Sequence, residues 1–223
     1  MQYKQDIHLM IDIETMGTDS DSSVFEICIV PFLPEGGKVD LGEDIFHQSA
    51  FPLSDGLSYS QSTLDFWLKS NFTLLQKIIA ESEGRTGLEL WSNLVNYLLE
   101  MAKKYNIKGV WGNGPAFDQT ILRNGIAKYL QTEHYANNHT LQLSLALFEG
   151  EQKMSRRDPS HYLLPFYLDL DVRTSKYALL QTGYTSRELE GIIQRKVNRT
   201  YESSLGENQM QKHYALFDCL YQI

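Results

Sequence analysis

The 223-residue chain has only two cysteines, Cys28 and Cys219. Two thiols are too few for a zinc site, and both lie in apolar runs, so they read as core residues in a reducing compartment. No apolar run approaches the roughly 18 residues needed to cross a bilayer. The N-terminus, Met1-Gln2-Tyr3-Lys4-Gln5-Asp6, has no apolar signal core before it turns acidic. A cytoplasmic protein is therefore expected, and the sequons at Asn71, Asn138 and Asn198 are chance matches. Basic residues are the other shortage. Between positions 5 and 65 there is one, Lys38, against twelve acids, and the whole chain carries a net charge of −8. That balance argues against a broad electrostatic nucleic-acid binder. It leaves room for an enzyme that meets phosphates through cations held by carboxylates. For most of the twelve acids, a solvated face is the better reading.

The rest of the composition is ordinary for a globular protein, with 42% hydrophobic and 22% charged residues. A chain of this length buries roughly 70–75% of its unfolded surface and needs no disulfide or zinc to hold it together. No repeat, low-complexity tract or linker divides it, so residues 1–223 are read as one domain. The run from His8 to Glu14 ends in turn residues and reads as a buried strand. Val24 to Phe32 is a second strand. Pro34 to Gly37 is a turn, and Val39 to Phe46 is the returning strand of an antiparallel hairpin. Ser62 to Trp67 reads as a helix start with Ser62 as N-cap. Apolar residues at helical spacing mark a helix from Leu88 to Tyr105. Ile107 to Trp111 is a short strand, and Phe117 to Tyr129 is the next helix. Residues 131–160 read as irregular, with one short helix through Leu141–Phe148. A strand from Tyr167 to Val172 leads into a helix, and a last helix carries Tyr214 to Tyr221. A hairpin followed by alternating strands and helices implies an α/β fold, a mixed sheet flanked by helices.

Three motifs carry chemistry, and each alone is weak. Asp12 and Glu14 are two apart on the first strand, so they leave the same face of the pleat. Asp12 sits between Ile11 and Ile13, where a carboxylate is costly unless paired or bound to a cation; a strand-end turn remains the commoner meaning. In the segment Trp111-Gly-Asn-Gly-Pro-Ala-Phe-Asp118, a strand ends in glycines and a helix opens on an acid. By itself Asp118 is explained by the helix dipole. Phe117 stands where a dinucleotide loop needs its third glycine, so that reading fails. His213 precedes Asp218 by five residues, a rotation of about 140° on a helix. The two reach one site only if His213 lies in the loop or first turn ahead of the helix. A solvent-facing His beside a helical Asp is the ordinary alternative.

In this order the three motifs resemble those of the DEDDh 3′–5′ exonucleases, a ribonuclease H-like family, over essentially the whole chain. The segment Asp12 to Gly17, Ser62-Thr63 with Trp67, and Asp171-Val-Arg-Thr174 are most similar to the branch of phage exonuclease A and its bacterial exoribonuclease-like relatives. All five family positions are present: Asp12, Glu14, Asp118, His213 and Asp218. Met16 stands where many members carry Thr, and the chain stops five residues after Asp218.

The resemblance implies a ribonuclease H-like mixed sheet, with an antiparallel hairpin plus parallel strands. It also implies two divalent cations, Mg²⁺ or Mn²⁺, which suit hard oxygen ligands. Asp12 would bridge both. Glu14 and Asp218 would complete the site on the nucleophile side, and Asp118 would hold the second cation. His213 would take the proton from the attacking water. Thr15, Met16 and Gly17 follow the ligands directly and are candidates to line the terminal nucleotide's pocket. Trp67 and Phe117 are candidate stacking surfaces for unpaired bases, with core packing the alternative. Arg173 is a candidate phosphate contact. The expected partner is a single-stranded nucleic-acid 3′ end, with no membrane; a homodimer is left open, as is DNA against RNA. The competing classes are a catalytically silent end-binding module and a polymerase-associated proofreading subunit on the same fold.

Overall fold

The computed structural model describes residues 4–33, 44–152, 160–205 and 215–223. Its centre is a mixed five-stranded sheet in the order β3-β2-β1-β4-β5. The strands are β1 (Asp6–Thr15), β2 (Val24–Phe32), β3 (Phe46–Ser49), β4 (Asn106–Gly112) and β5 (Asp169–Asp171). β1 pairs antiparallel with β2, and β2 with β3. β4 runs parallel to both β1 and β5. This is a ribonuclease H-like fold, as expected. The hairpin's third strand begins at Phe46 instead of ending there, and residues 39–43 lie outside the described residues.

Ten helices are described: α1 (Gln61–Ser70), α2 (Phe72–Glu81), α3 (Gly87–Lys104), α4 (Asp118–Tyr129), α5 (Glu133–Ala136), α6 (His139–Gln152), α7 (Ser160–Leu163), α8 (Val172–Gln181), α9 (Ser186–Leu205) and α10 (Ala215–Gln222). A 3₁₀ turn at Phe166–Leu168 takes the first part of the expected last strand, because the chain bends at Pro165 before it reaches the sheet. α1 is capped by Ser60, whose side chain accepts from the Thr63 amide, so the cap lies two residues before the expected Ser62. α3 opens with a capping box between Thr86 and Glu89. α6 is longer than the short helix expected. Leu141, Leu145 and Phe148 are buried while Leu143 and Leu147 face out, so apolar residues on both faces hide the period.

The period-2 alternation of β1 sends its side chains to two separate cores. Ile7, Leu9, Ile11 and Ile13 pack with α3, α4 and α6. Met10 and Met16 pack on the opposite face with Cys28, Val30, Trp67, α2 and α10. Asp12 and Glu14 belong by parity to this second face, on the same side as α10. The parallel strands bring the C-terminal ends of β1 and β4 together, where ligands of open α/β sheets gather. α4 is tied to β5 by a bidentate ion pair, with Arg123 donating to Asp169 at 3.0 and 2.6 Å. Among the described residues, no helix is long and apolar enough to cross a membrane.

Candidate active site

Asp12 and Glu14 stand near the C-terminal end of β1, opposite Cys28 and Glu26 of β2. Asp218 reaches them from the first turn of α10. One carboxylate oxygen from each of Asp12, Glu14 and Asp218 lies within 4.8 Å of the others, close enough to share a cation. Asp118 opens α4 directly after the β4 loop and is buried. Its charge adds to the effect of burial in raising the pKa of Asp12. His213 lies outside the described residues.

The electrostatics follow from crowding. Asp12 keeps some surface open to solvent yet lies deep among protein atoms. Burial holds its carboxyl well above the usual range, and the charges of Asp118, Asp218 and Glu26 push it further. Glu14 is raised well above its ordinary value for the same reasons, burial first and then Asp12, Glu26, Asp218 and Asp118. Asp118 is pushed up to about 7 by burial, although backbone amides and the Arg173 guanidinium favour its charge. Such a set is unfavourable when fully ionised and becomes favourable once cations enter. Hard carboxylate oxygens fit Mg²⁺ or Mn²⁺.

The loop after β1 is held on every side. Met16 donates to the carbonyl of Ser23 at 2.8 Å, and Ser60 donates to the carbonyl of Met16 at 2.9 Å. Thr15 Oγ1 donates to the carbonyl of Gly17 at 2.6 Å. A Cβ on Gly17 would come within 2.5 Å of Ser22 Oγ, so the turn requires glycine. The Met16 side chain is buried in the second core and offers a ligand only its backbone.

Trp67 does not supply the stacking surface expected of it. It is 1% exposed, packed edge-on to Phe25 with ring centroids 5.1 Å apart, and its indole N–H donates to the carbonyl of Thr15. Its place on α1 points it into the sheet, so it positions the loop from beneath. Phe117 is partly buried against the main core at the head of α4. Arg173, at the start of α8, is exposed and donates from Nε to the carbonyl of Asn113 at 2.7 Å. Gly114, at φ +121°, leaves room for that guanidinium; a Cβ there would collide with it. Arg173 thus braces the loop that leads to Asp118.

Two further residues join the site without having been anticipated. Gln222, at the end of α10, donates from Nε2 to Asp12 Oδ1 at 3.4 Å. Glu26 is fully buried, pairs with His47 at 2.7 Å, and contributes to the raised pKa values of Asp12 and Glu14. Glu26 did leave a signal in the sequence: it interrupts the apolar run Val24–Val30, as Asp12 interrupts its own.

A ribonuclease H-like sheet with carboxylates gathered at the C-terminal end of β1 is an arrangement suited to cation-assisted phosphodiester chemistry. Over residues 7–223 the chain matches the 3′-5′ exoribonuclease Rv2179c-like domain, and it belongs to that family. No curated protein matches it in sequence. Among solved structures it resembles a zinc-bound complex of exonuclease I from E. coli with single-stranded DNA, at 15% identity and a TM-score of 0.54. That likeness covers 98% of this chain and 39% of the other. A product-bound exonuclease I is similar at 14% identity and a TM-score of 0.52, covering 98% of this chain and 42% of the other. These likenesses concern the fold, and this chain spans about two-fifths of the exonuclease I chains.

Proposed function

We propose that the chain hydrolyses single-stranded nucleic acid from its 3′ end, releasing nucleoside 5′-monophosphates. The observation that carries this reading is the meeting of Asp12, Glu14 and Asp218 oxygens within 4.8 Å, from β1 and α10. Two divalent cations, Mg²⁺ or Mn²⁺, would supply an activated water, neutralise charge on the phosphate and stabilise the leaving 3′-oxygen. Asp12 would hold both, Glu14 and Asp218 would complete the nucleophile side, and Asp118 would hold the other. His213 accepts the proton of the attacking water as its oxygen bonds to phosphorus and the bond to the 3′-oxygen breaks. Thr15–Gly17 line the terminal nucleotide through a braced backbone. Phe117 offers its exposed part to a base, and Arg173 meets the backbone phosphate.

The family's description favours RNA, whereas the exonuclease I neighbour is a complex with single-stranded DNA. The test therefore uses both. Matched RNA and DNA oligonucleotides labelled at the 5′ end are incubated with Mg²⁺, Mn²⁺ or EDTA. A ladder shortening from the 3′ end, absent in EDTA, is expected, and RNA should be degraded faster. Cleavage of a circular single strand, or activity untouched by EDTA, would overturn the reading.

A further inference from the structure

We propose that Glu26, together with His47, is a positioning residue that seats the start of α10 and thereby places Asp218 in the site. The inference rests on the metal-site reading above. Glu26 is a carboxylate with no solvent exposure, near the start of β2 and directly opposite Glu14. A buried acid beside a cluster of acids raises the cost of ionising every one of them. Its presence there needs a compensating task.

The hydrogen bonds define that task. Oε1 is paired with His47 Nε2 at 2.7 Å, from the neighbouring strand β3. Oε2 accepts from the backbone amide of Ala215 at 3.4 Å, the first residue of α10 and 189 positions away in the chain. The first amides of a helix lack partners within the helix, so a carboxylate is well suited to hold them. Both oxygens of Glu26 are thus engaged, and among the described residues the carboxylates that converge within 4.8 Å are Asp12, Glu14 and Asp218. Asp218 lies one turn beyond Ala215, so a displaced helix start moves that ligand directly. α10 is then held at both ends, since Gln222 donates to Asp12 from its last turn. His47 orients the carboxylate from the far side.

Position and charge are separated by two conservative variants. Glu26→Gln keeps the length and an acceptor for Ala215 but removes the charge. Glu26→Asp keeps the charge but is one methylene too short to span the same gap. Calorimetric titration with Mn²⁺ reads the site without reference to hydrolysis, and amide exchange reads the start of α10. Glu26→Asp should weaken Mn²⁺ binding by roughly 10–100-fold, the usual effect of losing a partner that orients ligands. It should also speed exchange at the first amides of α10. Glu26→Gln should stay within about threefold of the parent protein in both measurements, its conservative geometry rescuing what the shorter acid loses. Loss of a bound Mn²⁺ in Glu26→Gln with retention in Glu26→Asp would make Glu26 a ligand and overturn the proposal. Wild-type affinity and exchange in Glu26→Asp would overturn it as well. A parent protein that binds no Mn²⁺ sinks the metal-site reading itself, and the exchange comparison then decides separately whether Glu26 seats the helix.

Discussion

The indole N–H of Trp67 donates to the carbonyl oxygen of Thr15 at 2.9 Å, joining α1 to the end of β1 across 52 positions. The bond is buried, and it fixes the backbone that follows the paired acids Asp12 and Glu14. Trp67→Phe keeps most of the ring packing and removes the donor. Leaving the Thr15 carbonyl unpartnered should cost about 1–2 kcal/mol and lower Tm by roughly 2–8 °C. KM for an oligonucleotide should rise more than kcat falls if the loop lines the terminal nucleotide, as proposed above. Equal Tm and KM would show that the bond carries nothing.

Asp12→Asn should abolish hydrolysis while leaving the fold intact. The same substitution removes a carboxylate crowded by Asp118, Asp218 and Glu26. Relief of that repulsion should raise the Tm of the EDTA-treated protein by a few degrees. Differential scanning calorimetry and the ladder assay check both halves. A well-folded variant with near-parental turnover would remove Asp12 from the site.

Asp118 supplies a pH dependence whose sign is fixed. Its pKa rises on folding from 3.8 to about 7, chiefly through burial. The folded protein therefore binds this proton more tightly than the unfolded chain, and the resulting stability is fully present below about pH 4. It is lost as pH rises through about 7. Denaturant titrations without metal should show the parent protein weakening across that window, and Asp118→Asn should flatten the slope. Mn²⁺ affinity should run the other way and strengthen over the same interval, because cations need the ionised ligand.

His213→Ala tests the division of labour between proton acceptor and ligands. Turnover should fall by roughly 10²–10⁴-fold, the usual worth of a general base. Mn²⁺ stoichiometry and affinity should stay unchanged by calorimetry, and raising the pH should recover part of the lost rate as hydroxide substitutes for the missing base. Loss of a bound ion would reassign His213 as a ligand.

Much of this was legible in the sequence. The alternation of β1 puts Asp12 and Glu14 on one face, because a strand's period of two leaves no other choice. Glycines and an acid after Trp111 marked the strand-to-helix passage that Asp118 opens. The long amphipathic period of α3 read directly, since one of its faces is apolar and the other polar. α2 and α9 gave no such lead, and α6 only a fragment.

Other features depended on which parts of the chain cover one another. An aromatic at helical spacing looks alike whether its neighbour is solvent or sheet; Trp67 is buried because β1 and β2 lie beneath α1, and no local pattern encodes that. The same holds for Glu26 with the start of α10 and for Asp12 with Gln222, brought together from 189 and 210 positions apart. Local sequence determines which side chains share a face, through steric repeats of two and 3.6 residues. Which face meets which is decided by the joint burial of all the apolar surfaces, and only the folded chain resolves that.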